Sequence, residues 1–318
     1  MPKNKPLQIA VSGSLAYDKI MDFPGRFSDH ILAGRTRRLN VSFPLAGLHA
    51  SFGGTAGNIA YNLNLLKIKP IILGVVGSDF FSYRLWLKRH GLDTRFLAVV
   101  RGLPTAAAHI ITDQDDNQIS AFYPGPVRPD CVSHLRHLKK PAGAIVAADD
   151  KDRLLAYAAL WRRRQVPYIF DPGQALTLLA AKELQPALFG ARALIVNDYE
   201  LALLLEKTRL RLAALERRLP IIVVTKGARG SDIYQSGKKI SIAPAKPKNT
   251  SDPTGAGDAY RAGFIAGLVR GWDLKTCGQL AATVAAYTVE KFGTQTHSFT
   301  LAGLARRYYQ NYRERINL

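Results

Sequence analysis

Asn249 to Gly267 reads N-T-S-D-P-T-G-A-G-D-A-Y-R-A-G-F-I-A-G and joins a turn-rich approach to a helix of small and apolar residues. Gly255 and Gly257 allow the backbone to turn tightly and to approach a ligand closely. The first N–H groups of a helix have no partner inside it, so they bind anions such as phosphate. Asp258 falls in the first turn, where the helix dipole favours its charged form, and it is placed to accept a proton from a hydroxyl. The stretch predicts phosphoryl-transfer chemistry.

Glycine loops are common, and on the glycines alone a plain turn into a helix is an equally good interpretation. The longer string D-P-T-G-A-G-D-A resembles the C-terminal signature of the ribokinase-like (PfkB-type) sugar and nucleoside kinases. The resemblance implies that Asp258 is the catalytic base. It also implies an anion hole formed by the backbone of Gly255, Ala256 and Gly257. Pro253 departs from the family, which more often has threonine there, and proline removes a backbone donor and fixes φ.

The composition is that of a globular protein. The chain has 318 residues, enough for one large α/β domain, and 47% of them are hydrophobic. No apolar run reaches the roughly 20 residues that cross a bilayer. Cys131 and Cys277 lie far apart, which indicates no disulfide framework and favours a reducing compartment. We expect a cytoplasmic protein, monomeric or homodimeric, with no membrane partner.

The charge balance is strongly basic, with 44 Lys and Arg against 24 Asp and Glu, a formal net charge of +20. Such a charge is typical of proteins that bind nucleic acid, so nucleic-acid binding is an alternative function. The basic clusters, of which Arg35-Thr36-Arg37-Arg38 is the first, lie in separate segments without interleaved aromatic residues. We therefore interpret the charge as solvated surface. A nucleic-acid-binding protein on a kinase scaffold stays the alternative of a different class.

The order of apolar runs predicts an α/β fold. From Ala144 onward, short strand-like runs alternate with helical segments, as is typical of parallel strands joined by helical crossovers, and a C-terminal helix is predicted over Ala281 to Phe292. With the family resemblance, this implies a ribokinase-like three-layer sandwich whose mostly parallel central sheet carries a small β-lid. We expect one kinase domain over residues 1–318, with lid segments at about 16–48 and 104–125.

One candidate acceptor-binding residue, Asp18, lies just beyond the first predicted strand, Leu7 to Val11. Two more, Gly54 and Asn58, lie in the loop F-G-G-T-A-G-N. Asp18 lies where ligands bind in α/β proteins, although position alone favours a simple turn aspartate. Gly54 permits close backbone approach, and Asn58 both donates and accepts hydrogen bonds. By resemblance to the nucleoside kinases, Asp18 binds the ribose hydroxyls, and Gly54 and Asn58 contact the sugar. Phe122 or Tyr123 of the lid hairpin is then expected against the substrate, with ordinary strand packing equally compatible for each.

Two further segments resemble the nucleotide-binding motifs of the family. N-D-Y-E begins at Asn197, and its spacing alone predicts a helix capping box with Glu200. The resemblance associates the motif with phosphate and Mg²⁺. It implies that Asn197 contacts the nucleotide and that Glu200 contacts the metal. The stretch T-K-G-A-R-G follows a buried-type strand, and the resemblance implies that Thr225, Gly227 and Gly230 bind ATP through the backbone.

The family also implies a monovalent cation beside the anion hole. The segment Thr294 to His297 is expected to flank the adenine pocket, and Asp252 with the carbonyl of Thr254 is expected to hold the cation. We therefore expect ATP and Mg²⁺ as cofactors and K⁺ as an activator.

These resemblances span nearly the whole chain and predict an ATP-dependent kinase. The glycine loop, the hairpin D-N-Q-I-S-A-F-Y-P-G and the end G-T-Q-T-H are most similar to bacterial adenosine-kinase-type members. The preferred acceptor is therefore the 5′-hydroxyl of adenosine or a related nucleoside, as in purine salvage. The alternative is a ribokinase- or fructokinase-like enzyme that phosphorylates a primary hydroxyl of a free sugar.

Overall fold

A computed structural model describes residues 7–31, 40–115, 117–128 and 131–318. The basic cluster predicted at residues 35–38 lies outside these residues, as does Asp116 in the turn of the predicted hairpin. Within the described part, no helix is both long and apolar enough to span a bilayer.

The described residues form thirteen strands: β1 (Gln8–Ser12), β2 (Ala16–Asp22), β3 (Gly47–Gly53), β4 (Lys69–Gly77), β5 (Leu97–Val100), β6 (Ala106–Thr112), β7 (Gln118–Tyr123), β8 (Gly143–Val146), β9 (Tyr168–Phe170), β10 (Ala193–Asn197), β11 (Ile222–Thr225), β12 (Ser231–Gln235) and β13 (Lys238–Ile242). They also form ten α-helices: α1 (Phe27–His30), α2 (Thr55–Leu65), α3 (Phe81–Arg89), α4 (Lys151–Arg163), α5 (Ala181–Phe189), α6 (Asp198–Thr208), α7 (Leu212–Glu216), α8 (Ala256–Val269), α9 (Leu274–Thr288) and α10 (Leu301–Tyr312).

The main sheet has nine strands in the order β13-β12-β11-β10-β9-β8-β1-β4-β5. The strands from β11 to β5 in this order are parallel, whereas β12 and β13 pair antiparallel at one edge. In such a sheet the carboxyl ends of the parallel strands meet at one edge, where ligands bind.

Helices cover both faces of this sheet. Alternate strand residues point to opposite faces, so Ile9 and Val11 pack with α2, α3, α8, α9 and α10, while Ala10 packs with α4, α5, α6 and α7. Two apolar cores therefore flank one sheet. The predicted α/β three-layer sandwich with a mostly parallel sheet is confirmed.

A second, four-stranded sheet has the order β3-β2-β6-β7, and we call it the lid sheet. Its central strands β2 and β6 are parallel, and β3 and β7 pair antiparallel outside them. β2 begins four residues after β1 ends, and β3 runs directly into α2 through Gly54. Both connections bring the lid sheet to the carboxyl edge of the main sheet.

The helix predicted over Ala281 to Phe292 has different bounds in the structure, where α9 runs from Leu274 to Thr288. The helix starts early because the Asp273 side chain accepts a hydrogen bond from the Thr276 N–H at 3.0 Å. Gly278 inside the helix marks close packing, since a Cβ there would lie 2.7 Å from Ile242. The antiparallel pair β12 and β13 has no counterpart in the sequence prediction.

Candidate active site

The glycine loop before α8 forms the floor of a cleft at the carboxyl edge of the sheet. Gly255 precedes the helix in a left-handed conformation, with φ of 78°. A Cβ on this residue would lie 3.0 Å from Thr294, so glycine is required both by φ and by space. The loop therefore turns directly into the first turn of α8.

Several backbone amides of this loop are available to a ligand. Among the described residues, no acceptor bonds the N–H groups of Gly255, Gly257 or Asp258. The Ala256 N–H, which the sequence also placed in the anion hole, instead donates to the Pro253 carbonyl at 3.2 Å. The turn uses that donor, and the Asp258 amide is exposed in its place. The arrangement binds anions because unpaired amides and the helix dipole act together.

Asp258 lies in the first turn of α8, partly exposed to the cleft. The Asn58 side chain donates to its Oδ2 at 2.9 Å. Burial raises the pKa of Asp258 to about 6, with further upward contributions from the charges of Asp171 and Asp18, against the opposing Arg261 and Asn58. A carboxyl with this pKa is ionised at neutral pH and still takes up a proton readily.

The Asn58 side chain is held in one orientation. Its Oδ1 lies 2.7 Å from the Thr294 hydroxyl and 3.0 Å from Gln295 Nε2, which donates to it. The amide oxygen is thus fully used, so the Nδ2 group must face Asp258. Asn58 was predicted to contact a sugar. In the structure one of its two N–H bonds holds the carboxylate, which leaves the second for a ligand.

Asp18 lies on β2 of the lid sheet, beside the first glycine loop. Its Oδ2 would lie 2.1 Å from a Cβ on Gly53, so this glycine makes room for the carboxylate. Among the described residues, none donates a hydrogen bond to Asp18. Burial, followed by the charge of Asp252, raises its pKa to about 6. A half-buried carboxylate without a donor is available for hydroxyl groups.

Gly54, the second glycine of this loop, has φ of 86°. A Cβ there would lie 2.5 Å from the Ser14 carbonyl oxygen, so the loop packs directly on the connection between β1 and β2. The backbone of Gly54 therefore joins Asp18 and Asn58 into one wall of the cleft.

Strand register separates the two aromatic candidates of the lid. Asp18 pairs with Ala108 and Ala108 with Phe122, so these side chains share one face of the lid sheet. Tyr123 belongs to the neighbouring row with Tyr17, on the opposite face. Phe122 is half exposed at 50%. It therefore lies on the Asp18 side of the lid sheet with its ring available.

A pocket of about 770 Å³ adjoins the glycine loop, and the described residues that line it include none from the lid sheet. It contains the predicted nucleotide-binding residues Asn197, Thr225, Gly227 and Gly230, and it reaches Ala256 and Gly257. Sequence reasoning did not identify its apolar wall, which is formed by Pro244, Ala245, Pro247, Tyr260, Ala282, Ala285, Ala286 and Val289. These residues come from α8, α9 and the connection after β13, and small apolar side chains carry little local signal.

Asn197 and Glu200 form a reciprocal capping box at the start of α6. Asn197 Oδ1 accepts the Glu200 N–H at 2.7 Å, and Glu200 Oε2 accepts the Asn197 N–H at 2.8 Å. Burial, then the charge of Asp171, raises the pKa of Glu200, against its bond to Asn197 and the charge of Arg261. The second carboxylate oxygen of Glu200 has no donor among the described residues.

The predicted cation residues Asp252 and Thr254 lie in the turn before the glycine loop. Asp252 Oδ1 accepts the Thr254 N–H at 2.8 Å, and its Oδ2 accepts the Gly293 N–H at 3.0 Å. Asp252 thus ties the loop to the segment that carries Thr294. In the described part of the chain, no three His, Cys, Asp or Glu side chains form a group that could hold a metal.

Sequence reasoning missed Arg261, which lies one turn after Asp258 on α8. Its guanidinium is buried and donates from Nε and Nη2 to the two carboxylate oxygens of Asp171, with Nη2 at 2.6 Å. Asp171 directly follows β9, at the carboxyl edge of the main sheet. An arginine in an otherwise small and apolar helix segment was the available signal.

The fold and the cleft define a class of α/β protein in which a lid sheet lies beside an anion-binding helix N-terminus. The sequence model of the pfkB family carbohydrate kinases matches residues 18–300. The nucleoside kinase of Methanothermobacter thermautotrophicus is 35% identical over 263 residues, which cover 81% of this chain and 84% of that protein. The chain belongs to the pfkB family of carbohydrate kinases.

Solved structures agree with this assignment. The Burkholderia thailandensis nucleoside kinase in complex with inosine superposes with a TM-score of 0.88 at 33% identity, covering 97% of this chain and 100% of that one. The Methanocaldococcus jannaschii nucleoside kinase, an archaeal member of the ribokinase family, gives a TM-score of 0.83 at 29% identity, covering 96% and 99%. The predicted ribokinase-like fold is thereby confirmed.

Proposed function

We propose that this protein transfers the γ-phosphoryl group of ATP to the 5′-hydroxyl of adenosine or a related purine nucleoside. The observation that carries the proposal is the position of Asp258, which lies beside unpaired loop amides, with Asp18 on one side and the 770 Å³ pocket on the other. The relatives named as nucleoside kinases, one of them solved with inosine, support a nucleoside over a free sugar.

The reaction needs a base, a phosphate cradle and two aligned substrates. The 5′-oxygen forms a bond to the γ-phosphorus while the bond from that phosphorus to the β,γ-bridging oxygen breaks, and ADP leaves with the electron pair. The hydroxyl proton passes to the carboxylate of Asp258, whose pKa of about 6 suits a base working near neutral pH. The amides of Gly255 and Gly257 stabilise charge on the phosphoryl oxygens during transfer.

The acceptor lies between the lid sheet and the glycine loops in this proposal. The ribose hydroxyls donate to the Asp18 carboxylate, which has no donor among the described residues, and each such bond to a charged group contributes roughly 1.5–3 kcal/mol. Phe122 shares the Asp18 face of the lid sheet and offers its ring to the nucleobase. A free sugar would use Asp18 and leave Phe122 without a partner.

ATP occupies the large pocket. Its adenine packs on the small apolar side chains of α9, such as Ala282 and Ala285, and its phosphates extend towards Ala256 and Gly257. Thr225, Gly227 and Gly230 approach the nucleotide through the backbone. Gly230 is confined to glycine by its φ of 83° and by the Ile242 carbonyl, which would lie 2.1 Å from a Cβ.

Mg²⁺ fits this cleft through its preferred chemistry. The ion usually keeps several waters and takes one or two carboxylates together with substrate phosphates, so it needs no group of three acidic side chains. Glu200 supplies a partly buried carboxylate with one oxygen free of protein donors in the described part. When bound, the ion would neutralise charge on the β- and γ-phosphates. Glu200 and Asn197 are the residues that we assign to hold its hydration shell.

An acceptor panel tests the proposed function. Purified protein is incubated with ATP, Mg²⁺ and adenosine, inosine, ribose or fructose, ADP release is followed, and the position of the new phosphate is read by ³¹P–¹H NMR. We expect turnover with the nucleosides and a 5′-phosphate product. Faster turnover of ribose or fructose would assign the site to free sugars. Salt-sensitive RNA binding without turnover of any acceptor would favour the nucleic-acid alternative.

A further inference from the structure

Arg261 has two of its three guanidinium nitrogens fixed. Nε and Nη2 donate to Asp171, whose side chain is 2% exposed, in a bidentate pair between α8 and the end of β9. The Arg261 side chain is itself 10% exposed. Bidentate pairing holds a guanidinium in one plane and one rotamer, so the direction of the third nitrogen is also fixed.

That third nitrogen, Nη1, has no hydrogen-bond acceptor among the described residues. It lies against Gly257, where an added Cβ would be 2.8 Å away from it. In the described part of the chain, the fully buried side-chain polar atoms without a hydrogen-bond partner belong to His134, Tyr157, Trp161 and His297. Nη1 is not one of them, so this nitrogen is not fully buried. Nη1 therefore reaches the exposed glycine loop with its donors unused.

Nη1 lies beside Gly257, one of the residues of the glycine loop. The unpaired amides of Gly255, Gly257 and Asp258 open at the same loop. Arg261 also attracts the carboxylates of Asp258 and Glu200 electrostatically, although neither bonds it. A guanidinium beside an anion-binding loop, with one nitrogen that no described residue uses, has the chemistry to bind a phosphate oxygen.

We propose that Arg261 is a catalytic residue that binds the transferred γ-phosphoryl group through Nη1, with Asp171 as the residue that positions it. This inference rests on the proposed phosphotransfer. The guanidinium would oppose the charge that builds on the phosphoryl oxygens, as arginines do in other phosphotransferases. The competing interpretation is a purely structural ion pair that fixes α8 to the sheet, because a buried pair needs no ligand to persist.

The two interpretations differ in which nucleotide they affect. A contact with the γ-phosphoryl group concerns ATP and is absent for ADP, whereas a structural pair supports both equally. We would measure ATP and ADP affinity by calorimetry, kcat with the preferred acceptor, and Tm, for Arg261→Met and Arg261→Lys. Arg270→Met is the matched control, because Arg270 lies at the end of the same helix, where its guanidinium donates to the Ala266 and Leu66 carbonyls and lies over the Trp272 ring.

For Arg261→Met we expect kcat to fall by about 10²- to 10³-fold, the range found when one transition-state donor is removed. ATP affinity should weaken while ADP affinity holds, and Arg270→Met should change neither. Arg261→Lys, which keeps the charge, should retain more activity than Arg261→Met and serves as the readout if the methionine variant does not fold. Equal weakening of ATP and ADP with a lower Tm, or kcat within threefold of wild type, would overturn the proposal.

The ATP-to-ADP comparison needs no acceptor. A wild-type protein that binds ATP but phosphorylates no nucleoside would therefore contradict the proposed function and still allow Arg261 to be tested. Asp171→Asn adds a second check, since it removes the charge that orients the guanidinium. We expect it to lower kcat with a smaller effect on ATP affinity, whereas unchanged kcat in Asp171→Asn would remove Asp171 from the positioning role.

Discussion

Asn58 Nδ2 lies 2.9 Å from Asp258 Oδ2, which joins two residues that are 200 positions apart in the chain. Asn58 belongs to the helix behind the first glycine loop, and Asp258 to the helix behind the second. The bond therefore ties the first glycine loop to the carboxylate that we propose as the base. Because Thr294 and Gln295 occupy the oxygen of Asn58, its donor group has one orientation.

Replacement of this donor by a carboxylate should impair the base. In Asn58→Asp the hydrogen bond is lost and a like charge faces Asp258, so its pKa should rise and kcat/KM should fall by about 10- to 100-fold at pH 7, in keeping with roughly 1.5–3 kcal/mol for such a bond. The control is Asn64→Asp on the same helix, where the side chain donates to His90. An equal loss in both variants would contradict the role of Asn58.

The pH dependence of the rate follows from the carboxyl groups in the cleft. Asp258 must be ionised to act as a base, so kcat/KM should fall on the acid side with a midpoint near pH 6. The charge of Asp18 makes a small contribution to the raised pKa of Asp258, after burial and the charge of Asp171. Removal of the Asp18 charge in Asp18→Asn should move the midpoint to lower pH. An unchanged midpoint in Asp18→Asn would show that the Asp18 charge does not affect the pKa of Asp258.

Asp18→Ala should act on the acceptor and spare the nucleotide. Loss of a carboxylate that accepts hydroxyl bonds removes roughly 1.5–3 kcal/mol per bond, so nucleoside affinity should drop by at least about tenfold. ATP affinity should stay near the wild-type value because the ATP pocket lies across the glycine loop. Calorimetric titration of both ligands checks this, with Asp22→Ala on the same strand as control. Undiminished nucleoside binding would leave Asp18 as a structural residue.

The turn before α8 predicts a response to K⁺. Asp252 accepts two backbone N–H bonds and keeps spare lone pairs. Its carboxylate and the Thr254 carbonyl can therefore serve as oxygen ligands for a monovalent cation. We expect K⁺ to raise the kinase rate above that in a bulky organic cation at equal ionic strength, by fixing the loop amides before phosphate binds. Pro253→Thr should strengthen the response. Equal rates in both salts for both proteins would show that Asp252 only shapes the turn.

The anion loop and its aspartate could be predicted because their chemistry is local. Gly255, Gly257 and Asp258 lie within four residues, and a helix N-terminus creates the site from consecutive backbone groups. The alternation of apolar runs likewise predicted the parallel sheet. Both signals depend on neighbours in sequence, and the described structure agrees with them.

The features of the site that the sequence did not predict depend on contacts between residues far apart in the chain. The Arg261–Asp171 pair spans 90 positions and the Thr294–Asn58 bond 236, and nothing in either local segment indicates its partner. The wall of the 770 Å³ pocket includes Ala282, Ala285 and Ala286, whose local sequence is that of an ordinary helix. The strands β12 and β13 were missed because each has only five residues and β13 begins with two lysines. Local pattern therefore predicted the glycine loop and the position of Asp258 in the first turn of α8, but not the residues that pair with it or with Arg261.

Asp258→Asn under saturating ATP and nucleoside tests whether Asp258 is the base of a nucleoside kinase. Its folded-state pKa lies above the ordinary value of 3.8, so the stability that this group contributes is present below pH 3.8 and is lost as the pH rises through 6. The variant should therefore melt no lower than wild type at pH 8, and it should bind both ligands. We predict that kcat falls by about 10²- to 10⁴-fold. If Asp258→Asn folds and binds both ligands but keeps a kcat within a few-fold of wild type, Asp258 is not the base.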